Sequence, residues 1–442
     1  MRLETSQLRE IALELSMESI KECSPEILVG QFFEKASGKS VEPFLQSDSK
    51  VYLLSIGKAA LPMARAAIAA IGKDRVEGLV VTRKGSNHDQ FPPSVNVVES
   101  GHPTPDENSF LAGRQALETI QGLGEDVPVL FLVSGGASSL FEAPVDGIGL
   151  EELKVLTDTL LRSGVSIKEF NTVRKALSKV KGGKLRKAAG SRACLTLILS
   201  DVVGDSPESV GSGPTIPVLV NVAEEAIELL KANGLWTATD QRIRKVLERE
   251  QRSWTKDGEL LESFVETVGN NRVLCMKMID KLKERGFNTI FLGSTISGEA
   301  CEAGRLMADI AREIAVSGNP LPAPAAIVSG GETVVRIKED TDGLGGPNQE
   351  FALSFCVHGA GLRNTVLLSM DTDGIDGPTD FAGGLVDGKT FDRIKAKGIN
   401  PKVELERHNS TAALEAGTDL LQTGKMDNNL NDLRVLLVGT KE

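Results

Sequence analysis

Short runs of consecutive apolar residues, each closed by a turn and followed by a stretch with helical spacing, recur along most of this chain. Residues 51–57 (VYLLSIG) lead into the Ala-rich KAALPMARAAIAAIG, which predicts strand, glycine turn and helix. VEGLVVT from Val76, VNVVES from Val95, VPVLFLVSGG from Val127 and CLTLILSD from Cys194 repeat the strand signal, with helical patterns over 106–122 and 150–162 between them. These runs lack regular polar alternation, so each strand needs cover on both faces. The first domain is therefore expected to be a doubly wound, Rossmann-like α/β fold with a parallel sheet. Ahead of it, Leu8, Ile11, Ala12 and Leu15 recur at helical spacing after Thr5 and Ser6, predicting an opening helix.

Between about 217 and 272 the pattern turns helical and charged, and a second α/β series follows. Its strands are FNTIFLG (287–293), AAIVSGGETVV from Ala325, NTVLLSMDTDG from Asn364 and LRVLLVG from Leu433. The expected division is 1–240 and 241–442, the second part carrying a parallel or mixed sheet. The strand-end motifs of the two series fall in a similar order (SIGKAA, SGGASS, SDVVGD; then GSTISG, SGGETV, SMDTDGIDG), an echo that predicts two similar sheets facing one cleft.

At 442 residues the chain has length for two or three domains. Its 50 Lys and Arg against 61 Asp and Glu give a net charge of -11, which argues against nucleic acid as a partner; the one basic stretch, 174–187, is short. Five scattered cysteines without a CxxC pair point to reduced thiols and a cytoplasmic setting. The opening helix has no signal-peptide core, and no apolar run reaches the roughly 18 residues of a membrane span. Oligomeric state is open. Forty-five glycines against one Tyr and two Trp favour close backbone approach to small anionic ligands over aromatic platforms.

Several strand ends carry candidate chemistry. Lys58 stands at a helix start directly after a strand, a place suited to phosphate or carboxylate, although the GxxxxGK[ST] spacing is missing. Ser134, Gly135, Gly136 and Ser138 form either an anion nest or a tight strand-to-helix turn. Asp201 and Asp205 need a metal, a base or an N-cap to tolerate the end of a buried strand. Glu332 follows another such strand, and Asn348, Gln349 and Glu350 follow three glycines. Asp371, Asp373, Asp376 and Asp380 crowd ten residues; they suit Mg²⁺ better than an EF-hand, or else form a solvated acidic turn. His88, His102, His358 and His408 show no zinc spacing, and His102 reads as a turn or core histidine.

Taken in order, SIGKAA, GHPTPDEN, LVSGGASSLFEAP, NTVRKALSKVKGGKL, LSDVVGDSPESVGSGPT, SGGETVV, GGPNQE, DTDGIDGPTDFAGG and the 423–432 segment resemble the motifs of the type II glycerate kinases, the MOFRL family, over about residues 5–440. The resemblance implies two α/β domains with the active site in the cleft between them, ATP and Mg²⁺ as cofactors, and glycerate as substrate, with 2-phosphoglycerate the favoured product. It also implies catalytic roles for Lys58, Asp201 and Asp205, and metal ligation by Asp373 and Asp376. Substrate or phosphate binding would fall to Ser134, Gly135, Gly136, Ser138, Arg174, Glu332, Asn348, Gln349, Glu350 and Lys425. The chain departs from the family at Pro347, where an arginine is usual, at Ala137, and in TGKMDNN, where Lys425 replaces a proline. Lys425 or Arg174 is expected to supply the missing charge. Two other readings stay open: a hydroxypyruvate reductase, for which no GxGxxG fingerprint is found, and a non-catalytic sensor of glycerate or nucleotide.

Overall fold

The computed structural model describes residues 3–45, 49–86, 91–204, 206–254, 263–337, 342–426 and 428–440. Two compact units divide the chain: a central unit, Pro25–Val268, and a terminal unit made of Met1–Ser24 and Gly269–Glu442.

In the central unit, the strands are β1 (Val51–Ile56), β2 (Val76–Arg83), β3 (Val95–Ser100), β4 (Val129–Ser134), β5 (Cys194–Leu199) and β6 (Phe264–Gly269), in the order β3-β2-β1-β4-β5-β6. From β3 through β5, all pairings are parallel. The doubly wound expectation is met, and the reason lies in the apolar runs: β1, β4 and β5 are buried at every position. The chain builds outward from β1 in one direction and then restarts at β4 in the other. This makes the gap beside the carboxyl ends of β1 and β4 the topological switch point, where open α/β sheets bind ligands.

The terminal unit has β7 (Asn288–Ile296), β8 (Ala325–Gly331), β9 (Thr365–Asp371), β10 (Gly383–Asp387), β11 (Leu420–Leu421) and β12 (Asp432–Val438), in the order β11-β10-β9-β12-β8-β7. Only β7 and β8 pair in parallel; β12 runs antiparallel between β8 and β9. The echo in the motifs thus does not extend to the topology. One consequence matters for chemistry. The last residues of β8 and β9, Gly331 and Asp371, both lie opposite the first residue of β12, Asp432. Three strand termini meet at one end of the sheet.

The units divide at 24/25 and 268/269, not at 240/241. The helix Gln241–Ser253 buries Ile243, Val246 and Leu247 in a cluster with Leu156, Phe170 and Leu230, and β6 extends the first sheet. Hydrophobic burial therefore keeps 241–268 with the central unit. The opening helix, Thr5–Glu22, belongs to the terminal unit, where Arg9 pairs with buried Asp387 and Asp419 at 2.7 and 2.8 Å.

Candidate functional site

At the switch point of the central unit, the loops after β1 and β4 are tied together. The backbone N–H of Lys58 donates to the Gly135 carbonyl at 2.8 Å. Ser134 Oγ accepts from the Ala59 N–H at 3.1 Å and donates to the Ile56 carbonyl at 3.3 Å. Ser134 thus staples the loops, its hydroxyl being occupied by backbone. Gly135 leaves room for Asp201 from the loop after β5: a Cβ there would lie 1.7 Å from the Asp201 carboxylate. Gly136 adopts a left-handed φ of +81°, and a Cβ on it would lie 3.0 Å from Lys58 Cγ and 3.2 Å from His102 Nε2. One glycine pair therefore brings together Lys58, Asp201 and His102, from the ends of three different strands.

The electrostatics follow from this crowding. Burial pushes the Asp201 carboxyl above its ordinary range, while the Lys58 ammonium opposes the shift. Burial, together with the charges of Lys58, Arg83 and Arg174, pushes the His102 imidazole down to about 4. Arg174 stacks 4.8 Å over the Phe170 ring, and among the described residues no carboxylate lies within ion-pair distance of it. Burial lowers its proton affinity and Glu142 raises it, but a guanidinium stays charged. Glu142 itself pairs with buried Lys181 at 2.7 Å. Ser138 Oγ lies 2.8 Å from Ser212 Oγ, which donates to Asn171. Asp205 and His88 lie outside the described residues.

The second set of candidates gathers at the strand-terminus end of the terminal unit. Asp371 is pushed up to about 8, first by burial and then by Asp373, with Asp432 and Asp376 adding repulsion. Asp373 donates its N–H to Asp371 Oδ1 at 3.0 Å and accepts the Ile375 N–H at 2.9 Å. Lys425 is exposed on a neighbouring loop, which is held by the Met426 N–H donating to the Asp373 carbonyl at 2.7 Å. Glu332 is exposed and accepts from Asn431 Nδ2 at 3.3 Å, and Asp380 is exposed.

Asp376 does something else. Its two oxygens accept the backbone N–H groups of Asn348 and Gln349 at 3.0 and 2.9 Å, and the side-chain amides of both residues as well. It therefore caps the helix Pro347–His358. Pro347 takes the first turn of that helix, where its missing N–H costs no intrahelical bond. The polar triplet that follows is spent inside the unit. Asn348 also bonds Asp432 at 2.6 Å and Ser369 at 2.6 Å, Gln349 bonds Thr379 and Thr411, and Glu350 meets His408 Nδ1 at 2.8 Å. All three are buried. They hold the acidic end in shape, and their side chains are turned to protein partners instead of outward.

For a divalent cation, the donor chemistry is present: Asp371 and Asp373 offer hard oxygens, and Asp371 is raised first by burial and then by the Asp373 charge, which a cation would offset. Among the described residues no three His, Cys, Asp or Glu side chains form a ready-made metal cage. That arrangement suits Mg²⁺, which keeps several waters and takes the rest of its shell from phosphate oxygens. With Asp376 engaged in capping, Asp371 is the better partner for Asp373.

The sequence suggests a turn or core role for His102, and it gives Asn171, Asp432 and Arg434 no role at all. The buried Arg434 guanidinium pairs with Asp432 and donates to Thr333 Oγ1 at 2.9 Å, so it neutralises one acid of the cluster from within. For His102, the GHPTPDEN motif was the available signal.

Comparison with known proteins adds identity to this geometry. The profile of a domain of unknown function, DUF4147, matches residues 11–248, and that of the MOFRL family matches residues 325–432. A D-glycerate 2-kinase of Thermotoga maritima is 40% identical over 432 residues, which cover 98% of each chain. A glycerate 2-kinase of Pyrococcus horikoshii is 39% identical over 444 residues, again 98% of each. A crystal structure of glycerate kinase from Thermotoga maritima aligns with a TM-score of 0.88 at 38% identity, covering 98% of this chain and 100% of the other.

Proposed function

The chain belongs to the MOFRL family, and we propose that it transfers the γ-phosphoryl group of ATP to D-glycerate, giving 2-phosphoglycerate and ADP. The observation that carries this reading is the switch-point cluster. Lys58 lies beside the buried carboxylate of Asp201, and Arg174, without a carboxylate partner among the described residues, adds a second cation close enough to act on His102. Phosphoryl transfer is mostly positioning and charge neutralisation, which is the work such groups can do.

In the proposed reaction, Lys58 and Arg174 hold the anionic parts of the substrates, the carboxylate of glycerate and the oxygens of the moving phosphoryl group. Asp201 accepts a hydrogen bond from the attacking hydroxyl and takes its proton as the new O–P bond forms and the bond to the β-phosphate oxygen breaks. A raised carboxyl pKa favours that acceptance. Mg²⁺, when bound, would neutralise the triphosphate, and Asp371 and Asp373 are the residues fitted to hold it. Asn348, Gln349 and Asp376 keep the acidic loops in register, and Glu350 with His408 pins the same helix.

A reductase would need a nicotinamide site, and the β1 turn, Gly57-Lys58, carries no GxGxxG. Five cysteines free of disulfides support a reducing, cytoplasmic setting, and no helix among the described residues is long and apolar enough to cross a membrane. Phosphorus NMR of the protein with ATP, Mg²⁺ and D-glycerate tests activity and regiochemistry together. The expected spectrum shows ADP and 2-phosphoglycerate growing at equal rates. Unchanged ATP, with NADH oxidised in the presence of hydroxypyruvate, would overturn the reading.

A further inference from the structure

His102 belongs to no part of the reaction described above, yet its position is fixed from several sides. It follows β3, whose last residue, Ser100, donates from Oγ to the Leu140 carbonyl at 2.7 Å, tying the strand end to the short helix after Gly136. On the other side of the loop, Asp106 accepts the Ser109 N–H at 3.0 Å to cap the helix Glu107–Gly122, and pairs with Lys84 at 2.7 Å. Between these anchors the imidazole edge lies against Gly136, level with the Lys58 side chain. Among the described residues neither ring nitrogen has a hydrogen-bond partner. His102 is exposed, so both ring nitrogens face solvent beside Lys58, and a loop anchored at both ends holds that donor and acceptor within reach of a ligand.

The chemistry narrows what that ligand group is. Lys58 and Arg174 are charged donors and suit carboxylate or phosphate oxygens. A neutral imidazole carries one donor and one acceptor, the complement of an alcohol, which also has both. The ring is neutral at physiological pH, because burial and the cations Lys58, Arg83 and Arg174 disfavour its protonated form. Glycerate is a carboxylate with two adjacent hydroxyls, only one of which is phosphorylated.

Resting on the kinase reading, we propose that His102 contacts the 3-hydroxyl of bound glycerate and so selects a dihydroxy acid over its monohydroxy analogue. It is thus a specificity residue beside the charge-binding pair, and the proton of the reacting 2-hydroxyl is not its concern.

The test is a substrate-truncation cycle with D-glycerate and D-lactate, which lacks the 3-hydroxyl. For wild type, His102→Ala and His102→Asn, kcat/KM is measured for D-glycerate, and the inhibition constant of D-lactate is measured against D-glycerate. Loss of one neutral hydrogen bond predicts a fall of about tenfold in kcat/KM for glycerate in His102→Ala. The D-lactate constant should stay unchanged, and the amide of His102→Asn should recover part of the loss. A thermal midpoint within the wild-type range certifies each fold, and should His102→Ala fail to fold, His102→Asn carries the same comparison. An equal loss toward glycerate and lactate, or no loss toward either, overturns the proposal. Wild type that leaves ATP untouched with glycerate refutes the kinase reading; active wild type with equal losses refutes the role of His102 alone.

Discussion

Gly135→Ala isolates the position of one carboxylate without touching a charged residue. The added Cβ would stand 1.7 Å from one Asp201 oxygen, 2.1 Å from its carbon and 2.5 Å from the other oxygen, where ordinary contact begins at 3.4 Å. The main chain at Gly135 does not need a left-handed φ, so the penalty is steric, and the Asp201 carboxylate must retreat by about 1.7 Å to reach that contact. Misplacing a reacting group by about 1 Å costs on the order of 100-fold, equivalent to about 2.7 kcal/mol of transition-state stabilisation. Overpacking should take about 1 to 3 kcal/mol from stability as well. The assay is ADP release with D-glycerate in wild type, Gly135→Ala, Asp201→Asn and the double variant, alongside thermal unfolding. If the alanine acts by displacing Asp201, the two activity losses overlap and the double variant is little worse than Asp201→Asn. A Gly135→Ala enzyme within threefold of wild type, or losses that add in full, would refute the reasoning.

Lys58→Ala should lower kcat/KM for glycerate by about 2 to 4 kcal/mol, the usual loss for a preorganised charge donor, with an unchanged melting midpoint; near wild-type turnover would make Lys58 a mere surface lysine. Asp371 titrates at about 8 in the fold against an ordinary 3.8, so its stabilising protonated form is complete below about pH 4 and is lost as pH rises through 8. Without divalent cation, Asp371→Asn should therefore melt above wild type at pH 8 and converge with it near pH 4; parallel melting curves across that range would contradict the repulsion. Lys425→Ala should lose about tenfold in kcat/KM if it replaces a cation missing at Pro347, and Pro347→Arg in that background should recover part. A silent Lys425→Ala disposes of the compensation and leaves Arg174.

Continuous apolar runs made β1, β4, β5, β8, β9 and β12 legible, because full burial on both faces demands that composition. β6 was not, being a half-exposed edge strand, FVETVG, behind a charged helix. β11 is two residues long, and β10 lies just beyond an acidic loop that hides its apolar core. The switch-point loops stand out in the sequence as glycines and a lysine directly after strands, a pattern that fits either an anion site or a tight turn; the fold adds that Lys58, Asp201 and His102 meet there. The ligand role expected of Asn348, Gln349 and Glu350 rests on the family resemblance, whereas their side chains are buried against protein partners. Their partners, Asp376, Thr411, Asp432 and His408, come from 27 to 84 residues away, a proximity that only the fold creates. His102 reads in sequence as a turn or core histidine for the same reason: its neighbours Gly136 and Lys58 are remote in sequence and adjacent only in the fold.

The terminal unit is assembled from two stretches of chain with the whole of the central unit between them. During synthesis the central unit is complete once residue 268 has left the ribosome, and it can fold as one contiguous piece. The helix Thr5–Glu22 precedes the whole central unit in the chain and lacks its sheet until that sheet is made: Asp387 and Asp419, which Arg9 engages, lie 378 and 410 residues further on. For most of translation its apolar face, with Leu8, Ile11 and Leu15, must wait exposed. Docking of this helix therefore waits on the terminal sheet, and Thr5–Glu22 is a segment a nascent-chain chaperone has reason to hold.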